Sequence, residues 1–371
     1  MKALNLILIL IIVLFSFESL KAQDPTFSQF YANRTYLNPA FTGLDNGVSV
    51  AAVSRLQWLS ADRGFRTYGM SFEIKRPFIN SGFGIQLLQD EEGIGELTNT
   101  SVGLSYSYSI PLRNYHEIKI GLQGRWVQKS IDWSKLIFSD QLDPVHGNIF
   151  STTAQPGQEH VRHTDFDLGA IWINTTDIKI GKRKLKNVRT NIGFSLHQLV
   201  SLFNENGGGE SLQNLDTSVP PRVTIHAGSV IPLVYYAGRK KTISISPNFK
   251  YDIQGENLTD FRRNFQVVTY GAYLMFDGMY FGAMYQNKVP ILGFKNTNAL
   301  IFAAGAYIEK NKMNQYFIGF SYDANTSGLG TRAGGVYEVA LRWTGLTLLQ
   351  PKHGKKRKRG KKKPINCYKF F

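Results

Sequence analysis

The chain has 371 residues, with 25 Phe, 18 Tyr, 5 Trp and 35 Gly, and only 19% are charged. That composition excludes disorder for most of its length and is compatible with two modest domains or one large closed β structure. The formal charge of +16 is concentrated in Lys352, Lys355, Lys356, Arg357, Lys358, Arg359, Lys361, Lys362, Lys363 and Lys369; without these ten it falls to +6.

Residues 1–22 open with Met1-Lys2, continue through an apolar stretch at 6–17 and close on Leu20-Lys21-Ala22 before Gln23. This is the pattern of a secretory leader with a small residue at the cut. Position 23 is Gln rather than Cys, so a lipid-anchored amino terminus is not indicated. Beyond the leader, the longest apolar run is about 299–308, short of the ~18 residues of a spanning helix. A polytopic helical membrane protein is therefore excluded. Export also sets aside nuclear import and DNA binding as readings of the basic run, so no nucleic-acid partner is expected. The one cysteine, Cys367, has no partner for an intrachain disulfide.

Residues 23–46 carry Phe27, Phe30, Tyr31, Tyr36 and Phe41 with Pro25 and Pro39. Two prolines exclude a long helix, and so many aromatic side chains do not stay solvated. The segment either packs in or under the domain that follows or docks a partner. Phe27, Phe30, Tyr31, Tyr36, Asn38, Pro39 and Phe41 are its candidate contacts.

Residues 47–345 repeat one pattern: about ten residues alternating apolar or aromatic with small or polar, then a turn rich in Gly, Asn, Asp or Pro. At 101–110, for instance, Val102, Leu104, Tyr106, Tyr108 and Ile110 share one face and Ser101, Gly103, Ser105, Ser107 and Ser109 the other. Fourteen strands are predicted, at 47–59, 64–75, 81–90, 98–110, 116–130, 164–174, 189–200, 222–234, 241–253, 264–277, 279–287, 298–308, 314–323 and 333–345.

Such strands suit a soluble sandwich or a barrel whose apolar face meets lipid, and loop lengths discriminate between them. With a periplasmic amino terminus, connections after even strands are short, including 76–80, 112–115, 235–240, 277–278 and 309–313. The two longest, 131–163 and 201–221, follow odd strands. Outer-membrane barrels sort their loops this way and a sandwich does not. The basic stretch 175–188 is the exception, long for a periplasmic turn. Trp58, Trp126, Trp133, Trp172 and Trp343 near strand ends suit interfacial girdles. The expected fold is thus an all-β, antiparallel transmembrane β-barrel of about 14 strands. An aromatic amino-terminal segment precedes it and a basic periplasmic tail (346–371) follows it.

No enzymatic motif is found. Residues 328–334 imitate a dinucleotide loop but lie between strands with one residue too many, and no Gly-x-Ser-x-Gly elbow or His-Glu-x-x-His pair occurs. No cofactor is expected. His160 and His163 followed by Asp165 and Asp167 make a surface metal site conceivable. Wet-face charges (Lys119, Arg125, Asp165, Asp167, Lys250, Asp252, Glu338 and Arg342) are mixed in sign, which does not suit a strongly selective pore. They either line an aqueous lumen or pair across a filled one. In the tail, Lys355, Lys356, Arg357, Lys358, Arg359, Lys361, Lys362 and Lys363 are candidate contacts for an anionic partner.

The run Asp24-Pro25-Thr26-Phe27-Ser28-Gln29-Phe30-Tyr31, followed by Tyr36-Leu37-Asn38-Pro39-Ala40-Phe41-Thr42-Gly43, resembles the opening signature of the PorP/SprF family, type IX secretion system membrane proteins of Bacteroidetes. Ser321-Tyr322-Asp323-Ala324-Asn325-Thr326-Ser327-Gly328-Leu329 and Gly335-Val336-Tyr337-Glu338-Val339-Ala340-Leu341-Arg342 resemble the family's last hairpin. Cys367-Tyr368-Lys369-Phe370-Phe371 resembles its Cys-containing terminus, without the usual proline after the cysteine. The resemblance implies a non-enzymatic outer-membrane component of the secretion machine. Its partners would be outer-membrane lipid, a cargo such as a large adhesin or gliding protein at the outer loops, and periplasmic motor or peptidoglycan-associated components at the amino-terminal segment and tail. The alternative is a passive outer-membrane channel or hydrophobic-solute transporter.

Overall fold

The computed structural model describes residues 24–345 apart from 46, 61–63, 113–114, 144, 154–156, 181–182, 204–211, 213–218, 237–240, 256–257, 259–263, 290–296, 312–313 and 327–333. The expected leader, the basic tail with its eight candidate contacts, Cys367 and most of the 328–334 loop lie outside the described residues.

Fourteen antiparallel strands close into one barrel. They are β1 (Val48–Gln57), β2 (Phe65–Arg76), β3 (Ser81–Glu92), β4 (Leu97–Pro111), β5 (His116–Ser130), β6 (His160–Ile180) and β7 (Arg183–His197), then β8 (Arg222–Tyr236), β9 (Lys241–Gln254), β10 (Phe265–Phe276), β11 (Met279–Val289), β12 (Thr297–Asn311), β13 (Asn314–Asn325) and β14 (Val336–Gly345). Each pairs with its neighbours in sequence, and β1 pairs with β14 in a register running from Val48↔Gly345 to Gln57↔Val336. Closure satisfies the backbone polar groups of both terminal strands, which an open sheet in hydrocarbon cannot do.

Side-chain parity follows the alternation in the sequence. On β4, Ser101, Ser105, Ser107 and Ser109 are buried inside, while Leu104, Tyr106, Tyr108 and Ile110 stand outside and exposed. Phe83, Ile85 and Leu87 on β3 and Tyr337, Val339 and Leu341 on β14 face out in the same way. The apolar surface is on the outside and the polar surface on the inside, the inverse of a soluble core and the arrangement a lipid surround requires.

One expectation is corrected. Residues 175–188 are not a loop: β6 runs to Ile180 and β7 begins at Arg183, with a register shift between Thr176 and Ile178. The alternation persists in Asp177-Ile178-Lys179-Ile180 and Lys184-Leu185-Lys186, but the density of Lys and Arg around it reads as a loop although pairing continues. β6 also starts at His160, four residues before the expected 164, shortening the first long loop to 131–159.

With that correction every connection at one end of the barrel has four residues or fewer, and at the other end only 93–96 is that short. One end carries connections 77–80, 112–115, 181–182, 237–240, 277–278 and 312–313; the other carries 58–64, 93–96, 131–159, 198–221, 255–264, 290–296 and 326–335. The short-turn end is periplasmic and the long-loop end faces outward. In the two-residue turn after β10, Asp277 and Gly278 both have positive φ (50° and 85°), the requirement of a tight hairpin matched to strand twist.

Candidate functional site

The buried core of this protein lies in the lumen, and much of it is residues 24–45. Phe27, Phe30, Tyr31, Leu37, Ala40, Phe41 and Leu44 form its apolar cluster with inward side chains such as Ile171, Tyr273, Tyr280, Ile301 and Phe317. Phe27 meets Tyr36 edge-on, with ring centroids 5.2 Å apart, and Tyr31 meets Phe41 likewise at 6.1 Å. Burying each large apolar side chain is worth about 1.5–3 kcal/mol. The segment is referred to below as the strap.

Local chemistry shapes the strap. A single turn of helix, α1 (Arg34–Leu37), is followed by a 3-10 turn at Pro39–Phe41. Pro39 stands where its missing N–H costs nothing, and the Asn38 side chain accepts from the Ala40 amide at 2.9 Å. Asn38 also donates through Nδ2 to the carbonyls of Ala170 (3.2 Å) and Phe194 (3.0 Å), so one amide caps the turn and ties it to β6 and β7. The wall is thinned to receive this turn. A Cβ at Gly121 would overlap the Ala40 amide nitrogen and one at Gly169 the Asn38 side chain, so neither position accommodates a larger residue.

Charged wall residues hold the strap at three heights. Toward the long-loop end, Glu338 accepts from the Ser28 and Gln29 amides, both at 2.8 Å, while Asp323 accepts from the Ser28 hydroxyl at 2.6 Å. Arg55 lies 3.3 Å from both carboxylates. In the middle, Arg342 donates to the carbonyls of Tyr31 (3.0 Å) and Ala32 (2.6 Å), and Arg34 pairs with Asp45 within the strap. At the short-turn end, Lys119 and Ser107 both donate to the Thr42 carbonyl (2.9 and 2.6 Å), and Glu73 accepts from the Gly43 amide at 2.9 Å. These charges are buried and hydrogen-bonded, the condition under which charges persist away from water.

At the outer mouth the Asp24 carboxylate accepts from Gln198 at 2.6 Å and lies 3.4 Å from Arg222, while its backbone N–H donates to Gln254 at 3.2 Å. Arg222 also donates to the Tyr36 hydroxyl at 2.9 Å, with its guanidinium 4.7 Å from that ring. A neighbouring inward network joins Arg125 to Asp167 (2.7 Å) and Asp165 (3.5 Å). Those aspartates accept from the Gln198 and Val200 amides, tying the root of the second long loop to the wall. Voids of about 10 and 20 Å³ flank the strap, each with room for roughly one water.

Of the sequence-derived candidates, Phe27, Phe30, Tyr31, Asn38, Pro39 and Phe41 are brought together and buried in the lumen, with Tyr36 half-buried beside Arg222. In this arrangement the barrel covers their side chains. Of the two readings of the strap, packing in or under the barrel and docking a partner, the structure shows packing inside, across the height of the barrel. The mixed inner charges pair across a filled lumen. The conceivable metal cluster does not assemble: Asp165 and Asp167 point inward to Arg125, His160 is exposed on the opposite face, and the described residues contain no group of three metal-ligating side chains. Arg55, Glu73, Arg222 and Asp323 were missed by sequence reasoning. Their signal was strand parity, which places all four on the inner face.

This is a β-barrel of the outer membrane whose own amino-terminal segment fills its lumen. The family described as "Type IX secretion system membrane protein PorP/SprF" matches residues 19–343, and the chain belongs to that family. It is accordingly an outer-membrane component of type IX secretion. A search of curated proteins finds no match. Three similar solved structures are distant in sequence. "CymD monoaromatic hydrocarbon channel" is 9% identical, with a TM-score of 0.41 over 85% of this chain and 92% of that one. A Pseudomonas aeruginosa FadL homologue is 11% identical, with 0.39 over 85% and 94%, and Acinetobacter baumannii Omp33 is 9% identical, with 0.36 over 82% and 99%. At these values the likenesses carry no functional argument.

Proposed function

We propose that this barrel supports export or surface anchoring of a type IX cargo such as a large adhesin or gliding protein, acting by recognition at its outer loops rather than by bond-making. The observation that carries this reading is the filled lumen: with the strap seated, the barrel offers no passage for a polypeptide, so its working surface is its rim. The loop 131–159 suits that role. It is built on its own 3-10 turns at Trp133–Lys135 and Ser139–Gln141 and a small hairpin pairing Leu142 with Asn148, and it exposes Ile137, Val145, Ile149 and Phe150. Apolar side chains exposed beyond the bilayer favour a protein partner. The division into a leader (1–22), strap (23–46), barrel (47–345) and basic periplasmic tail (346–371) belongs to the same reading. So does contact of Lys355 to Lys363 with an anionic periplasmic component.

The test is the surface and medium proteome of a deletion strain against its complemented parent. Loss of one large adhesin marks a dedicated cargo partner, and loss of many type IX substrates marks a core component. Unchanged secretion overturns the reading and brings forward the passive channel, which stable single-channel steps from the purified intact protein would then support. For the tail, unchanged recovery of periplasmic partners at low salt after removal of 352–371 would sink the anionic contact.

A further inference from the structure

We infer that the strap is threaded through the barrel from the periplasmic to the outer mouth, so that the chain at Asp24 is presented at the cell-surface side, opposite the end of the last strand. The strap's contacts run from one mouth to the other with one return: after Ala32 meets Arg342, Tyr36 folds back to Arg222 at the outer mouth before the chain descends again. Asp24 lies with Gln198, Gln254 and Arg222, at the long-loop ends of β7, β9 and β8. Ser28 and Gln29 lie with Arg55, Asp323 and Glu338, near the long-loop ends of β1, β13 and β14. Asn38 reaches the middle of β6 at Ala170 and the outer half of β7 at Phe194. Thr42 and Gly43 lie with Glu73, Ser107 and Lys119, at the short-turn ends of β2, β4 and β5. Gly47 accepts from the Lys75 amide immediately before β1 begins.

An even strand count puts the start of β1 and the end of β14 at the same mouth, but the strap carries the chain back across the membrane. Two consequences follow. A partner that reads the chain near Asp24 does so from outside, beside the root of the 198–221 loop, and not from the periplasm. The strap is either laid in before β1 pairs with β14 or fed end-on through a mouth, because a closed wall admits it by no other route. The inference rests on the contacts and the asymmetry of the ends, and holds whether or not a cargo binds.

The test uses full-length protein in cells, with Cys367→Ser as background and single cysteines read by a membrane-impermeant maleimide. Val145→Cys marks the outer loops and Phe78→Cys the short-turn end; both positions are exposed. Asp24→Cys is expected to label on intact cells, as Val145→Cys does, while Phe78→Cys labels only after permeabilisation. Asp24→Cys labelling only after permeabilisation overturns the inference. A second measurement decides the case in which the mouth shields position 24 in both states. A short bifunctional maleimide is expected to join Asp24→Cys to Gln254→Cys within one chain, shifting its gel mobility, and not Asp24→Cys to Phe78→Cys. The reverse pairing overturns the threading.

Discussion

The strap and the longest outer loop, 131–159, are both irregular segments of similar length, yet they are held in opposite ways. The strap's anchors come from residues far away in sequence: Ser28 and Gln29 bond to Glu338, Asn38 to Ala170 and Phe194, and Thr42 to Ser107 and Lys119. The loop is held largely by its own residues. Asp132 accepts from Ser134, Asp143 from the Val145 and His146 amides, and Asp140 from Thr152 and Thr153. The Thr153 amide above all, with the Thr152 and Thr153 hydroxyls, keeps the Asp140 carboxyl below the usual carboxylate range. A segment tied to many strands is part of the barrel's stability; one tied to itself is free to specialise for a partner without disturbing the wall.

The strongest challenge to this contrast is removal of the strap. Deleting residues 24–44 removes the lumen's filling and opens an inner wall of Ser, Gln, Lys, Asp and Glu side chains to water. The expected outcome in planar bilayers is stable conductance from the deletion and little from the intact chain. Equal conductance from the two would mean that the strap does not seal the lumen.

Next in size is Glu338→Ala, which leaves Arg55 with Asp323 alone and removes the acceptor of two buried strap amides. Removing one partner of a buried, hydrogen-bonded charge pair costs about 3–5 kcal/mol. Thermal unfolding in detergent, followed by the gel shift between folded and heated barrel, should show a clearly lowered midpoint. Asn38→Ala is smaller: losing the cap and two wall bonds should cost about 1–3 kcal/mol, read by the same assay and by earlier protease cleavage within 24–45.

The smallest effect on the barrel belongs to Asp140→Asn. The carboxyl is exposed, so its hydrogen bonds should govern local order alone. Added protease should cut 131–159 faster on intact cells while the melting midpoint of the barrel stays put. A midpoint lowered as far as in Glu338→Ala would erase the distinction between the two regions.

Much of the wall was legible in the residues because a strand reports itself with period two. All fourteen strands were anticipated, as was the polar inner face of residues such as Ser101, Lys119, Asp167 and Glu338. The Asp277-Gly278 turn was equally plain, since only particular residue types tolerate its positive φ. The signal failed at 175–188, where dense Lys and Arg masked the short alternation of Ile178, Ile180 and Leu185 through which β6 and β7 stay paired. It was also incomplete in the lumen. Parity says that Arg55, Asp323 and Glu338 share the inner face but not that they converge on Ser28.

The amino-acid sequence by itself determined the class of fold, the lipid-facing and lumen-facing sets and the family, because alternation and turn chemistry are local and the signature runs are contiguous. Only the tertiary structure decided what the aromatic segment does and where Asp24 lies. Its anchors sit on strands up to about three hundred residues away, and barrel closure alone sets which inward charges come within reach of one another.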